Sequence, residues 1–164
     1  MKKSELTYRM YCLVLRQLNG INKGVQAFHA GLEYANKFHN EEDFQKYITF
    51  DKTLIMLDGG IYQDLVEIKS LLEVASINHS VFVEPDLNDT ITAICFLADE
   101  RVWDRENYMS CESFLERFDI ESNLDIQNAI CHWVESIGGF KNAAIVPVLI
   151  ISIAMLKPSS PQLG

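Results

Sequence analysis

The segment "GVQAFHAGLEYA" (residues 24–35) carries three polar side chains at helical spacing. Gln26, His29 and Glu33 stand at positions i, i+3 and i+7, so a helix places all three on one face. An amide, an imidazole and a carboxylate on one face can bind a polar ligand or transfer protons. The same pattern fits the solvated side of an amphipathic helix, and His29 also fits a structural hydrogen bond to a neighbouring backbone group.

Further polar residues stand at the start of this helix and after the third predicted strand. Lys23 opens the helix, where a lysine and free backbone N–H groups together bind anions. Glu84 and Asp86 belong to "EPDLND" (residues 84–89). In an α/β fold, the ends of the first and third strands and the start of the first helix lie near one another, at a usual place for a site. "EPDLND" equally fits a plain hairpin turn, and Lys23 an ordinary exposed lysine.

Four short apolar segments predict strands, and segments with helical periodicity separate them. We predict a first helix with Asn22 as its N-cap, running to Phe38, and a shorter second helix capped by Asn40. The order β-α-α-β-α-β-β predicts an α/β layer fold whose last two strands are antiparallel. The predicted strands are residues 9–16, "KTLIML", "SVFVE" and "TITAICFLA", and the third helix is "YQDLVEIKSLLEVASI".

The sequence changes character after residue 98. We predict an α/β core over residues 1–98 and an acidic, mainly helical extension over residues 99–164, packed on the core or on a partner. The extension contains "NAAIVPVLIISIAML" (residues 142–156), which has no charged residue. This segment is short for a membrane span and contains Pro147, so it predicts a buried helix or a homodimer interface and no contact with a membrane.

The net charge of −9 is unevenly distributed. Residues 1–70 hold nine basic and nine acidic residues, whereas residues 71–164 hold five basic and fourteen acidic residues. Such a balance disfavours non-specific nucleic-acid binding but leaves room for a local basic patch. The four cysteines show neither C-x-x-C spacing nor a histidine at zinc-finger distance, so we expect reduced, core-filling thiols, no metal and no cofactor. The N-terminus has no cleavage site after its short apolar run, which predicts a cytoplasmic protein.

Three segments carry a family resemblance across about residues 9–98. "MYCLVLRQLNGINKGVQAFHAGLEYA" is followed by "LIMLDGG" and then by "SVFVEPDLNDTITAICFLA". Together they resemble the type-2 peptidyl-tRNA hydrolase family, and most closely its divergent members in phage and bacterial genomes. The resemblance implies a three-layer α/β fold, with a four-stranded mixed sheet flanked by helices.

The resemblance extends to individual positions. Gln26 and His29 match polar positions of the family's first helix, and Arg16 matches a position that is often basic. Glu84 stands where the family has the Asp of an Asp-Ala-Gly-x-Thr-Gln loop, while the shorter "PDLND" replaces the rest of that loop. Lys23 lies about one residue closer to Gln26 than the family's lysine does.

The resemblance also implies an activity, the hydrolysis of the ester that joins a peptide or an amino acid to the terminal ribose of tRNA, without a metal. Glu84 or Asp86 would then orient the attacking water, and Lys23 or Gln26 would face the oxyanion. We therefore expect the catalytic residues to be Lys23, Gln26, His29, Glu84 and Asp86. We expect the substrate-binding residues to be Arg16, Asn22, Glu33, Asn88, Asp89 and Thr90.

Two other functions fit the same sequence. A protein on this scaffold that has lost catalysis would bind a nucleotide-like ligand or a protein partner, because a fold does not determine a function. An assembly protein would use residues 142–156 to form a homodimer.

Overall fold

A computed structural model of the chain describes residues 5–104. Its centre is a four-stranded mixed sheet in the order β2-β1-β4-β3. Strand β1 pairs in parallel with β2, and β4 runs antiparallel to both β1 and β3. The predicted α/β class and the antiparallel pairing of the last two strands are therefore confirmed. The strands are β1 Tyr8–Val14, β2 Thr53–Asp58, β3 His79–Glu84 and β4 Thr90–Asp99.

Helices cover both faces of the sheet, which gives the three layers that the resemblance implies. Helices α1 and α2 supply residues to the core on one face, while the buried leucines of α3 face the other. The helices are α1 Gly20–Phe38, α2 Glu42–Lys46, α3 Tyr62–Val74 and α4 Glu100–Trp103. A π-helical turn at Tyr47–Asp51 leads into β2, and a 3₁₀ turn at Pro85–Leu87 joins β3 to β4.

Helix α1 begins earlier than the sequence analysis predicts. Its N-cap is Asn19, whose Oδ1 accepts the backbone N–H of Asn22 at 2.9 Å. The prediction of Asn22 as the cap is therefore wrong, because Asn19 has the extended backbone that a cap requires and Asn22 is already helical. The predicted cap of the second helix is also wrong, because Glu41 and not Asn40 occupies that position, without a side-chain cap bond.

The core under α1 depends on small helix residues. Ala27 and Ala30 pack against Met10 and Cys12 of β1, and the absence of longer side chains lets the helix approach the sheet closely. The buried hydroxyl of Ser80 donates to the backbone carbonyl of Ala30 at 2.6 Å, which ties β3 to the same helix. These contacts determine where α1 lies over the sheet.

Two of the cysteines lie opposite each other in this core. Cys12 of β1 and Cys95 of β4 are paired in the strand register, and both are free and buried. A hydrogen bond with Cys12 raises the pKa of the Cys95 thiol, and burial raises it further. Both are therefore core-filling thiols, as predicted, while Cys111 and Cys131 lie outside the described residues.

The outermost side of α1 is apolar, which the sequence analysis does not anticipate. Ile21, Val25, Phe28 and Leu32 are all exposed. Gln26 and His29 of the polar stripe instead contact Glu84 and Phe82 of β3. All three residues of the stripe, Gln26, His29 and Glu33, are at least half-buried. The prediction of a solvated polar side is therefore wrong for this helix.

The described unit that contains the sheet ends at Glu100. The predicted extension, including residues 142–156, lies almost entirely outside the described residues, as does its proposed homodimer contact. Within residues 5–104, no helix is both long enough and apolar enough to cross a membrane.

A pair of glycine substitutions tests this packing. A Cβ at Gly59 would lie 2.9 Å from the Val14 carbonyl oxygen, a backbone atom that cannot move aside, whereas a Cβ at Gly24 in α1 meets nothing within 4 Å. We expect Gly59→Ala to lower the free energy of unfolding by about 1–3 kcal/mol. Gly24→Ala should raise it by about 0.5–1 kcal/mol. Urea unfolding of both variants measures the difference, and equal effects would contradict the described packing.

Candidate functional site

The carboxyl ends of three strands lie along one side of the sheet, which we call the carboxyl edge. Strands β1, β2 and β3 run in the same direction, so they end at this edge, where β4 begins. The chain leaves β1 for α1 on one face of the sheet and leaves β2 for α3 on the other. A crevice forms where neighbouring parallel strands send their helices to opposite faces, and α/β proteins bind ligands at such points.

An ion pair stands at this crevice. The Arg16 Nε donates to Asp58 Oδ2 at 2.8 Å, and about half of each side chain is exposed. Asp58 is the last residue of β2, and its Oδ1 accepts the backbone N–H of Gly60 at 2.8 Å. The backbone N–H of Arg16 donates to the Gly60 carbonyl at 2.9 Å, which joins the two loops.

Lys23 belongs to the same group of charges. The pKa of Asp58 lies below its ordinary value of 3.8, mainly because of the Gly60 N–H, then because of the hydrogen bond from Arg16, with a smaller contribution from the positive charge of Lys23. The first turns of α1 therefore bring a second cation toward the end of β2. We call Arg16, Lys23, Asp58 and Gly60 the switch-point crevice.

Gln26 links α1 to two strands. Its side chain is buried, and its Nε2 donates to Glu84 Oε2 at 2.9 Å. The Thr92 hydroxyl donates to its Oε1. Thr92 is the extra residue of a β-bulge, because Phe82 pairs with Ala93 and Val83 pairs with Ile91. The bulge turns the Thr92 hydroxyl toward α1.

Glu84 is therefore a positioned carboxylate at the end of β3. Its Oε2 is bound by Gln26, and its Oε1 lies 3.5 Å from the backbone N–H of Asp86. The residue is half-buried, whereas Asp86 is exposed. A carboxylate held in this way can accept a proton from a water molecule.

The other residues of the predicted polar stripe do not join this arrangement. The His29 ring stacks on Phe82, with 4.5 Å between ring centroids and 13° between ring planes. Glu33 lies two helical turns beyond Gln26, about 10 Å along the axis and away from the carboxyl edge. The structure therefore joins Gln26 to Glu84 at the end of β3, gives His29 a packing contact and leaves Glu33 at a distance.

The predicted substrate-binding residues of the β3–β4 connection form a hairpin turn. Asn88 and Asp89 both have a left-handed backbone, with φ of 55° and 56°. They follow the 3₁₀ turn at Pro85–Leu87 and complete a five-residue connection between Glu84 and Thr90, the last paired residues of the two strands. The Thr90 hydroxyl closes the turn on the Leu87 carbonyl. Asn22, the remaining predicted contact, supplies its backbone N–H to the N-cap of α1.

The sequence analysis misses Asp58 and Thr92. Asp58 had a recognisable signal, because an acidic residue at the end of a parallel strand, followed by two glycines and a helix, is typical of α/β binding edges. Thr92 had none, because a bulge depends on the pairing of two strands and not on one segment. Within residues 5–104, no three His, Cys, Asp or Glu side chains are grouped so that they could hold a metal.

The buried amide of Gln26 gives a first test. Gln26→Met preserves the size of the side chain but removes the partner of both Thr92 and Glu84. We expect the free energy of unfolding to fall by about 1–3 kcal/mol, because buried polar groups lose their hydrogen bonds. Glu33→Met on the same helix is the control, with an expected change within about 0.5 kcal/mol. Equal losses in denaturant unfolding would show that Gln26 has no special role in the fold.

Asp58 gives a second test through pH. Because the pKa of Asp58 is lowered in the folded protein, the ionised carboxylate stabilises the fold above the ordinary value of 3.8. This contribution is lost as the pH falls through the lowered pKa. The wild type should lose free energy of unfolding between pH 5 and pH 3. We expect this loss to be smaller in Asp58→Asn, by less than about 1 kcal/mol, because the ion pair is exposed. Urea unfolding at both pH values measures it, and an unchanged pH dependence would contradict the lowered pKa of Asp58.

Comparison of the chain with protein-family models gives no match, and comparison with curated proteins gives none either. The residues at the carboxyl edge are therefore what indicates a function.

Proposed function

We propose that the protein hydrolyses the ester bond of peptidyl- or aminoacyl-tRNA. The observation that supports this most is the Gln26–Glu84 hydrogen bond, which holds a carboxylate at the carboxyl edge. Lys23 and Arg16 follow from β1 at the same edge and supply positive charge. A carboxylate that activates water and cations that bind phosphate, carried at the same end of one sheet, are the combination that this reaction requires.

Lys23 and Arg16 bind the phosphates near the 3′ end of the tRNA in this proposal. Exposed ion pairs contribute at most about 1 kcal/mol, so a phosphate can replace Asp58 as the partner of Arg16. The basic contacts are local, which is compatible with a net charge of −9 for the whole chain. We propose that the protein acts in the cytoplasm, where tRNA esters are formed.

The chemical step begins with a water molecule that gives a proton to Glu84 and attacks the ester carbonyl. Lys23 stabilises the negative charge that develops on the carbonyl oxygen. The bond between the carbonyl carbon and the ribose oxygen then breaks, and Glu84 passes the proton to that oxygen, which leaves as the ribose hydroxyl. Gln26 acts as a positioning residue for Glu84, because its Nε2 already binds that carboxylate.

A second candidate function is binding without cleavage. The Gln26 amide already binds Glu84 through its Nε2 and Thr92 through its Oε1. It therefore has less capacity to donate a hydrogen bond to the oxyanion of a substrate, as catalysis would require. A nucleotide-like ligand would then occupy the switch-point crevice through its phosphate.

An assay with purified N-acetyl-aminoacyl-tRNA tests the hydrolase. We expect the wild type to release the acylated amino acid, and Glu84→Gln to reduce the rate by about 10²–10⁴-fold, because the amide cannot accept a proton. Glu67→Gln, an exposed position on α3, is the matched control and should retain the rate. Lys23→Met should also lose activity, while Lys37→Met at the far end of α1 should not.

The outcomes separate the two functions. No release at high protein concentration would contradict hydrolysis. If tRNA or a nucleotide still binds in that case, and Lys23→Met weakens the binding, the protein is a binding protein on this scaffold.

A further inference from the structure

Strand β2 lies at the edge of the sheet and has little helical cover among the described residues. Helix α1 packs on β1, β3 and β4, and α3 packs on β4. Leu54 and Met56, which share a face with Met10 and Cys12 of the core, are 48% and 43% exposed. Exposed apolar side chains that continue the face of a core are typical of a surface that another chain covers.

Within residues 5–104, the outer edge of β2 also lacks the usual protection against pairing. Its six residues pair with β1 without a bulge, and "TLIMLD" contains neither proline nor lysine. The opposite edge, β3, is bulged against β4. Natural proteins use bulges, prolines and lysines to keep strand edges from pairing with other chains. Strand β2 therefore presents a regular row of backbone donors and acceptors.

We propose that a second copy of this chain pairs antiparallel with β2, so that the two sheets form one continuous sheet of eight strands. A two-fold axis perpendicular to the sheet relates the copies, because antiparallel pairing of identical edges requires it. The interface places the same strand opposite itself, and the exposed apolar residues of one copy cover those of the other.

The sequence of β2 favours one register. The two-fold axis keeps each face of the sheet continuous, so only residues on the same face can stand opposite each other. With Ile55 opposite Ile55 of the second copy, Leu54 pairs with Met56. Lys52, which precedes the strand and has a left-handed backbone with φ of 53°, then lies at the end of the interface near Asp58 of the second copy, so opposite charges meet at both ends. A register centred on Met56 would place the Asp58 carboxylate opposite Leu54, and one centred on Leu54 would place Lys52 opposite Met56.

This register connects the interface with the switch-point crevice. Lys52 of the second copy reaches the end of β2 where Asp58 holds Arg16. A second cation at Asp58 leaves Arg16 freer to bind an anion. Phe50, which is 74% exposed in the turn before β2, adds apolar surface near the other end of the strand.

Light scattering after size-exclusion chromatography of the full chain tests the dimer. We expect twice the 18.7 kDa mass of one chain for the wild type across a concentration series. Met56→Lys should shift the protein to the single-chain mass, because it places two like charges at the edge. Val74→Lys, at an 86% exposed position of α3, is the control and should remain dimeric. Circular dichroism checks that both variants are folded.

Cross-linking tests the register. In a background with Cys111→Ser and Cys131→Ser, Ile55→Cys should form a disulfide-linked dimer on oxidation with diamide, because facing strand residues lie about 4.5–5.5 Å apart at Cα. Thr53→Cys should not, because its two copies are offset by four residues, about 13 Å. A single-chain mass at every concentration would overturn the proposal. A dimer that survives Met56→Lys and gives no cross-link at position 55 would also overturn it and would point to another surface, such as residues 142–156.

Discussion

The side-chain amide of Gln26 is buried between helix α1 and the sheet, and a buried amide must find hydrogen-bond partners. Its two partners come from different strands, Thr92 of β4 and Glu84 at the end of β3. The bulge that presents Thr92 and the orientation of Glu84 therefore belong to one arrangement. The position of α1 over the sheet, the shape of the hairpin and the placement of the Glu84 carboxylate therefore depend on each other.

The second constraint comes from the direction of the chain after each strand. Because α1 and α3 lie on opposite faces, the ends of β1 and β2 are left open between them. Arg16, Lys23 and Asp58 stand at this opening. The Asp64 carboxylate, which accepts the Ile61 N–H, lies beside Gly60, so two cations meet two carboxylates there in a chain that is acidic overall. Net charge describes how a protein behaves toward distant polyanions, whereas a site depends on the few charges within reach of the ligand.

The polar stripe of α1 shows how far helical periodicity predicts a site. Periodicity predicts correctly that Gln26, His29 and Glu33 share a flank of the helix, but it does not predict what lies opposite that flank. The flank faces β3, so Gln26 reaches Glu84 while His29 stacks on Phe82. Similarly, the pairing of Gln26 with Glu84 joins residues 58 positions apart, and no local pattern contains that information.

The sequence by itself determined the number of strands and their order along the chain, the class of the fold and the antiparallel β3–β4 hairpin, because strands and turns follow from local apolar patterns and turn residues. It also contained every residue of the switch-point crevice. Only the tertiary structure decided that Asn19 caps α1, that Asp58 joins Arg16, that Thr92 forms a bulge, and that the outer side of α1 and the edge of β2 are apolar. These features depend on which segments meet across the sheet, and the energy of burying one segment against another overrides what each would favour alone.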